Sequence, residues 1–231
     1  MQVTLISYPS MDADKLAGMA AALCYDGNNP ERSLEHAIGG GHQSVIEHAN
    51  FTFLIEGVSR ALLAQLTRHR IASYSVQSQR YVSMKDKFEY VIPPRIKELG
   101  AVAVSEYERQ METMHDWYCR WQSALLNAGH TKEHANEDAR SVLPNATCTR
   151  LMVTMNAREL NHFFSLRCCG RAQMEIREMA CLMLEEVKIV APMLFGNAGP
   201  SCVRGKCHEG KRSCGKPWRK SNELSDQRKN A

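Results

Sequence analysis

The 231-residue chain has no run of about 18 apolar residues, so nothing in it reads as a membrane span. Its first residues lack the basic stretch followed by an apolar stretch that marks a secretory leader, and a cytoplasmic protein is expected. There is no G-x-G-x-x-G after a strand and no G-x-x-x-x-G-K-[ST], so any nucleotide is held without either Gly-rich phosphate cradle. The G-x-S-x-G elbow and the H-E-x-x-H zinc motif are missing too, as is any repeat of 20 to 50 residues. A strong charge of one sign is absent from the body. Residues 201–231 hold nine Lys or Arg against three Asp or Glu, which leaves residues 1–200 slightly acidic. A nucleic-acid footprint over the body is therefore not expected, although the tail alone can touch polyanions.

What is present suits a globular protein. An apolar fraction of 44% and this length allow one generous domain or two small ones with a substantial core. Nine cysteines, an odd number that includes the adjacent Cys168 and Cys169, fit a reducing compartment better than a disulfide framework. Cys148, Cys168 and Cys169 lack a context that marks a nucleophile and read as small packed hydrophobes.

Leu16, Met19, Ala20 and Leu23 after Asp12 predict a helix over 12–24, and a short helix over 31–38 should stop at Gly39-Gly40-Gly41. Alternation of Phe51, Phe53 and Ile55 with Thr52, Leu54 and Glu56 predicts a strand over 49–56 ended by Gly57. A helix over 58–68 follows. Phe88 to Ile92 reads as a strand closed by Pro93-Pro94, and 101–127 as the longest helix. Thr131 caps a helix running to Pro144, a strand spans 151–155, and helices span 157–168 and 172–194. Strands that do not alternate regularly with helices favour an α+β fold over a doubly wound sheet. After Gly196 the chain should be irregular.

The segment Arg68-His69-Arg70-Ile71-Ala72-Ser73-Tyr74-Ser75-Val76-Gln77-Ser78-Gln79-Arg80 carries the clearest chemistry. Guanidinium forks and hydroxyls match phosphate or carboxylate oxygens, so an anion-binding loop and a solvated basic turn are the two readings. In either case it should not be a core element. Gln65 and Arg68 stand three apart near the end of a helix, Arg140 lies before Pro144, and Asn156, Arg158 and His162 lie near the start of the helix over 157–168, with Arg167 and Gln173 at its far end. Ser78 reads as a hydrogen-bonding group ahead of a nucleophile, because nothing orients His69 as its base.

Arg68-His69-Arg70, seven residues and then Ser78 resembles the signature of the flavin-dependent thymidylate synthase family. The likeness extends in order through His42, Ser44, Glu47-His48, Phe51-Thr52-Phe53, Gln65, the stretch from Arg140 to Pro144, Asn156-Ala157-Arg158, Leu166-Arg167 and Ala172-Gln173 with Glu175-Ile176. It covers residues 30–190. It implies a helix-rich single domain, residues 1–196, around a small central, mostly antiparallel sheet, with residues 197–231 as a basic Cys-containing tail. The implied reaction is reductive methylation of dUMP to dTMP, with 5,10-methylenetetrahydrofolate as one-carbon donor and NADPH-reduced FAD as hydride donor. The implied assembly is a homotetramer with shared active sites. The resemblance places Ser44, Arg68, His69, Arg70, Val76, Asn156, Ala157, Arg158 and His162 against flavin. It places Gln65, Leu66, Thr67, Arg68, Val76, Gln77, Ser78, Gln79, Arg80, Arg140 and Arg167 against dUMP. It also implies that Arg167 is the catalytic group, since a permanent cation beside the pyrimidine would stabilise negative charge developing there.

Two departures stand out. Ser75-Val76 replaces the Asn-Glu of many members, so the expected carboxylate is missing and Val76 offers only backbone contacts. His162 stands where Asn is common. In the tail, Cys202, Cys207, His208 and Cys214 are a donor set for Zn²⁺ or an iron–sulfur cluster, but their x4 and x6 spacings are not C-x2-C hooks. The competing readings are a flexible basic tail with free thiols for that segment, and for the whole chain a non-catalytic nucleotide- or nucleic-acid-binding module. A conventional thymidylate synthase is a third, weakened by the lack of an activated cysteine.

Overall fold

The structure is a computed structural model that describes residues 1–86 and 88–218. Four strands, β1 (Gln2–Ser7), β2 (Asn50–Ser59), β3 (Ala72–Val76) and β4 (Cys148–Asn156), pair in the order β1-β2-β4-β3. The helices among the described residues are α1 (Ala13–Cys24), α2 (Pro30–Gly39), α3 (Arg60–Leu66), α4 (Pro94–Glu98), α5 (Ala101–Asn127), α6 (Lys132–Ala139), α7 (Ala157–Arg167), α8 (Met174–Val190) and α9 (Pro192–Phe195). The result is an α+β fold, helix-rich with one small antiparallel sheet. No helix among the described residues is long and apolar enough to cross a membrane.

Backbone contacts group the chain into two compact units. Unit 1 holds residues 1–2, 55–67 and 75–151; unit 2 holds 3–54, 68–74 and the described residues from 152 onward. The divisions fall inside all four of these strands and just after α3.

In unit 2, Phe51 and Phe53 of β2 are buried while Thr52 and Leu54 are half-buried, the expected period of two. Phe51 meets Phe195 edge-on at 5.3 Å, and Phe164 meets it at 6.0 Å. α8 buries Ile176, Met179, Ala180, Met183, Leu184 and Val187, a stripe at helical spacing. Asp12 caps α1 by accepting from Lys15 N at 2.9 Å, as its position predicts. One turn further, Asp14 is buried and its carboxylate accepts from the backbone N–H of Met193 (2.8 Å) and Leu194 (3.0 Å). Burial pushes its carboxyl pKa up, against the two backbone bonds. The predicted helix over 172–194 breaks at Ala191 because Pro192 lacks an N–H and disfavours helical backbone in the residue before it.

In unit 1, α5 and α6 clamp the chain that follows β3. Asn136 Nδ2 donates to Arg80 O at 3.0 Å, Gln122 Nε2 to Asn136 Oδ1 at 2.6 Å, and Tyr118 hydroxyl accepts from Met84 N at 3.1 Å. These three side chains are buried, so each is satisfied inside the protein. Gly57 does not end β2. Its φ of +68° marks the point where the burial alternation shifts, and the strand resumes to Ser59. The expected strand over 88–92 is only a bridge between Tyr90 and Thr147, with Phe88 stacked on His115 at 4.9 Å. Its apolar alternation reflects packing of rings, and Pro93-Pro94 can donate nothing to a ladder. The helix predicted to reach Pro144 stops at Ala139 and ends in a 3₁₀ turn over Arg140–Val142, since Leu143 before Pro144 is extended.

Two elements had no counterpart in the sequence reading: β1 and the short α4. A third is a correction. The Arg68–Arg80 segment is not wholly loop, because its middle forms β3, an edge strand with Ala72, Tyr74 and Val76 half-buried and Ser73 and Ser75 exposed. Tail residues 197–218 fall in unit 2 and are irregular apart from 3₁₀ turns over Ser201–Val203 and Gly210–Arg212. The rest of the predicted basic tail, 219–231, lies outside the described residues.

Asp14→Ala strands two backbone donors, and about 2 kcal/mol of stability should be lost. A lowered denaturant midpoint with unchanged slope is the expected result.

Candidate active site

In unit 2 the short stretch that enters β3 presents Arg68 and Arg70 as exposed cations on either side of a buried His69. The ring of His69 bridges two groups of α7. Glu159 Oε1 lies 3.2 Å from Nδ1, and Arg167 Nε donates to Nε2 at 3.1 Å. About 12 Å of helix rise separates Glu159 from Arg167, and the imidazole fills the interval. Arginine cannot accept, so Nε2 offers its lone pair and Nδ1 carries the proton toward Glu159. The tautomer is fixed from both ends.

Burial is the main force holding the pKa of His69 below its usual 6.5; the Glu159 hydrogen bond opposes it, and the Arg167 cation reinforces it. The ring is neutral at pH 7. Phe163 meets it edge-on at 4.9 Å and His162 at 6.0 Å, while Tyr74 hydroxyl donates to His69 O at 2.8 Å. Burial and the Glu159 charge push the Tyr74 phenol up to about 12, so this donor stays protonated. Burial, then the Arg68 cation, pulls the pKa of Arg167 down.

Apart from Val76, which ends β3 in unit 1, the other residues placed against flavin lie on or beside α7. Asn156 caps it, accepting from Glu159 N at 2.9 Å, and Ala157 is buried with its N–H donating to Ala49 O at 2.8 Å. Arg158 Nη1 pairs with Glu47 Oε1 at 2.5 Å. Glu47 belongs to the 3₁₀ turn Ser44–His48, so Ser44 is carried by the turn that holds Arg158. His162 is exposed.

Most residues placed against dUMP lie in unit 1. Gln65 is half-buried on α3, the Leu66 side chain is fully buried, and Thr67 hydroxyl donates to Leu63 O at 3.0 Å. Val76 and Gln77 are half-buried at and just beyond the end of β3, and Gln79 is buried. Ser78 Oγ accepts from Arg80 N at 3.2 Å, and Arg80 Nε stands 2.9 Å from Glu137 Oε2. Arg60 is the unexpected member. It donates through Nη2 to Gln77 O at 2.7 Å, and its Nε is buried with no hydrogen-bond partner among the described residues. Burial and then the charge of Arg140 pull its pKa down, so two guanidinium groups stand within Coulomb reach of each other.

The residues placed against flavin lie in unit 2 except Val76, and those placed against dUMP lie in unit 1 except Arg68 and Arg167. Sequence reasoning missed Glu159 and Arg60. Glu159 occupies the first turn of α7, where an acid ordinarily serves the helix end in solvent; its place beside the apolar Leu160 and Phe163 was the available signal. Arg60 opens a helix, an ordinary position for a surface cation. Gln173 is committed as the cap of α8, accepting from Ile176 N at 3.2 Å. The tail set Cys202, Cys207, His208 and Cys214 does not form a single-ion centre: among the described residues no three His, Cys, Asp or Glu gather to hold a metal ion. The x4 and x6 spacings span separate turns instead of one chelating hook.

A cation pair in each unit, a neutral buried imidazole held by a carboxylate and an arginine, and a buried Cys168 whose pKa is raised define a protein built to hold anions and to work without that thiol. The family model described as thymidylate synthase complementing protein matches residues 4–193. A flavin-dependent thymidylate synthase of Geobacter sulfurreducens is 46% identical over 234 residues, 94% of each chain. One of Clostridium tetani is 45% identical over 94% of each chain, and one of Pyrococcus furiosus 39% identical over 90% of each. The chain belongs to the thymidylate synthase complementing protein family.

Because the folded pKa of His69 lies below 6.5, the neutral ring contributes stability that is complete above 6.5 and lost as pH falls through the folded value. His69→Gln should flatten that acid limb in denaturation profiles taken from pH 7 downward. An unchanged limb would remove His69 as its source.

Proposed function

We propose that this protein is a flavin-dependent thymidylate synthase, converting dUMP to dTMP with 5,10-methylenetetrahydrofolate as one-carbon donor and NADPH-reduced FAD as hydride donor. The observation that carries the reading is the pairing of like charges. Arg60, whose buried Nε has no hydrogen-bond partner among the described residues, lies within the field of Arg140, and Arg167, held by His69 Nε2 at 3.1 Å, lies within that of Arg68; a bound phosphate or an electron-rich ring relieves both arrangements.

The residues fit FAD. Exposed Arg68 and Arg70 suit its diphosphate, and the Arg158–Glu47 pair fixes a further guanidinium at the start of α7. Bound flavin supplies the hydride chemistry, which leaves the chain to bind, orient and polarise. Arg60, Arg140 and Ser78 hold the nucleotide phosphate. Arg167 bears on the pyrimidine, where its cation stabilises charge that develops as the ring becomes a carbon nucleophile. Glu159 and His69 keep Arg167 in place: the neutral Nε2 accepts from Arg167 Nε and so turns the guanidinium.

Neither buried cysteine competes for this role. Burial pushes the Cys168 thiol up, and Cys181, pulled down by its hydrogen bond from Cys168, is only 7% exposed. The homotetramer with shared sites and a cytoplasmic location belong to the same proposal.

Purified protein should be yellow, bleach on addition of NADPH, and form dTMP from dUMP and methylenetetrahydrofolate. A colourless protein that FAD cannot reconstitute would point to a binding module instead. Arg167→Ala should retain flavin absorbance while dTMP formation drops about 100-fold or more, on the scale of losing one preorganised charge; near-native turnover removes Arg167 from the chemistry.

A further inference from the structure

Six of the nine cysteines line one cavity of about 440 Å³ within unit 2. Cys168 and Cys181 form packed wall: both are buried, and the Cys168 thiol donates to Cys181. Cys169, Cys202, Cys207 and Cys214 are accessible. The first follows α7 and the others come from the tail, so the chain brings four thiols from separate turns to one space.

Three contacts fix the tail there. Arg171 pairs with Glu209, two residues past Cys207. The backbone N–H of Trp218 donates to Cys202 Sγ at 3.2 Å. Cys214 covers Gly170, where an added Cβ would come within 3.3 Å of its sulfur. His208 does not line the cavity; its N–H donates to Ser201 Oγ at 3.1 Å.

A tetrahedral zinc ion draws its sulfurs to about 3.8 Å from one another, from Zn–S distances of about 2.3 Å. Among the described residues no three donors gather in that way. Four thiols distributed round a cavity of this size suit a polynuclear centre, whose ligand sulfurs stand farther apart. We propose that Cys169, Cys202, Cys207 and Cys214 ligate a [4Fe–4S] cluster in this cavity.

Four thiolates make such a centre anionic, and Arg177 and Lys216 line the same space. The Trp218 N–H bond to Cys202 is of the kind that tunes cluster sulfurs. Each ligating thiol gives its proton to solvent as its sulfur bonds iron. The cluster arrives assembled on a carrier protein, whose thiolates leave the irons and take up protons as these four sulfurs bind, so ligation changes no oxidation state. Cys169 stands two residues beyond Arg167, and the cluster anchors the end of α7 to the tail. This site is independent of the flavin reading.

Full-length protein prepared anaerobically should carry about four iron and four acid-labile sulfide per chain, with a fast-relaxing low-temperature EPR signal after dithionite. Cys202→Ser and Cys214→Ser should each cut iron to about half or less, while Cys24→Ser, exposed on α1, should leave it unchanged. Wild-type apoprotein given ferric iron, sulfide and dithiothreitol as reductant should regain the signal, a measurement that does not depend on the variants folding. Zinc in place of iron, failure of both anaerobic and reconstituted wild type to hold iron, or full iron in folded Cys202→Ser and Cys214→Ser proteins would each overturn the assignment.

Discussion

The contact on which the candidate site depends is the line Glu159–His69–Arg167. A buried imidazole next to an arginine is costly unless it is neutral and presents a lone pair. Glu159 makes that arrangement stable by taking the Nδ1 proton as a hydrogen bond, leaving Nε2 for Arg167 Nε. Remove the carboxylate and the ring loses the partner that selects its tautomer; remove the ring and Arg167 loses the acceptor that turns it. Phe163 and Tyr74 complete the surroundings by excluding water from one side and tying the His69 carbonyl on the other.

Around that line the protein gathers cations. A fold that only had to be stable would separate Arg60 from Arg140 and Arg68 from Arg167, since each pair lowers a partner's pKa. Keeping them together costs stability and gains affinity for anions, the usual exchange at a functional site. The α5–α6 network acts in the same cause on unit 1. By holding Arg80 O and Met84 N, Asn136 and Tyr118 fix the chain just after Ser78 and leave its side chains for a ligand.

Much of this was legible in the sequence. The periodicity of 101–127 marks α5, and Asp12 and Thr131 are visible as caps. The arginine signature, though, reads as loop because serine and arginine outweigh the alternation of Ala72, Tyr74 and Val76; pairing at a sheet edge overrides that local preference. Phe88–Ile92 fails in the opposite sense: its alternation is real, but ring stacking on α5 uses it. The role of Glu159 was hidden because its partner lies 90 residues earlier in the chain, and a carboxylate near a helix start has an ordinary local explanation. The cysteine-lined cavity was hidden for the same reason, since Cys169 joins the tail thiols only through the fold.

The central claim is that His69 is neutral with its proton on Nδ1. Long-range ¹H–¹⁵N correlation of the imidazole at neutral pH reads this directly. The account predicts a protonated Nδ1 and a bare Nε2 for His69, with the bare nitrogen shifting on Arg167→Ala. A proton on Nε2, or an imidazolium at pH 7, would contradict it.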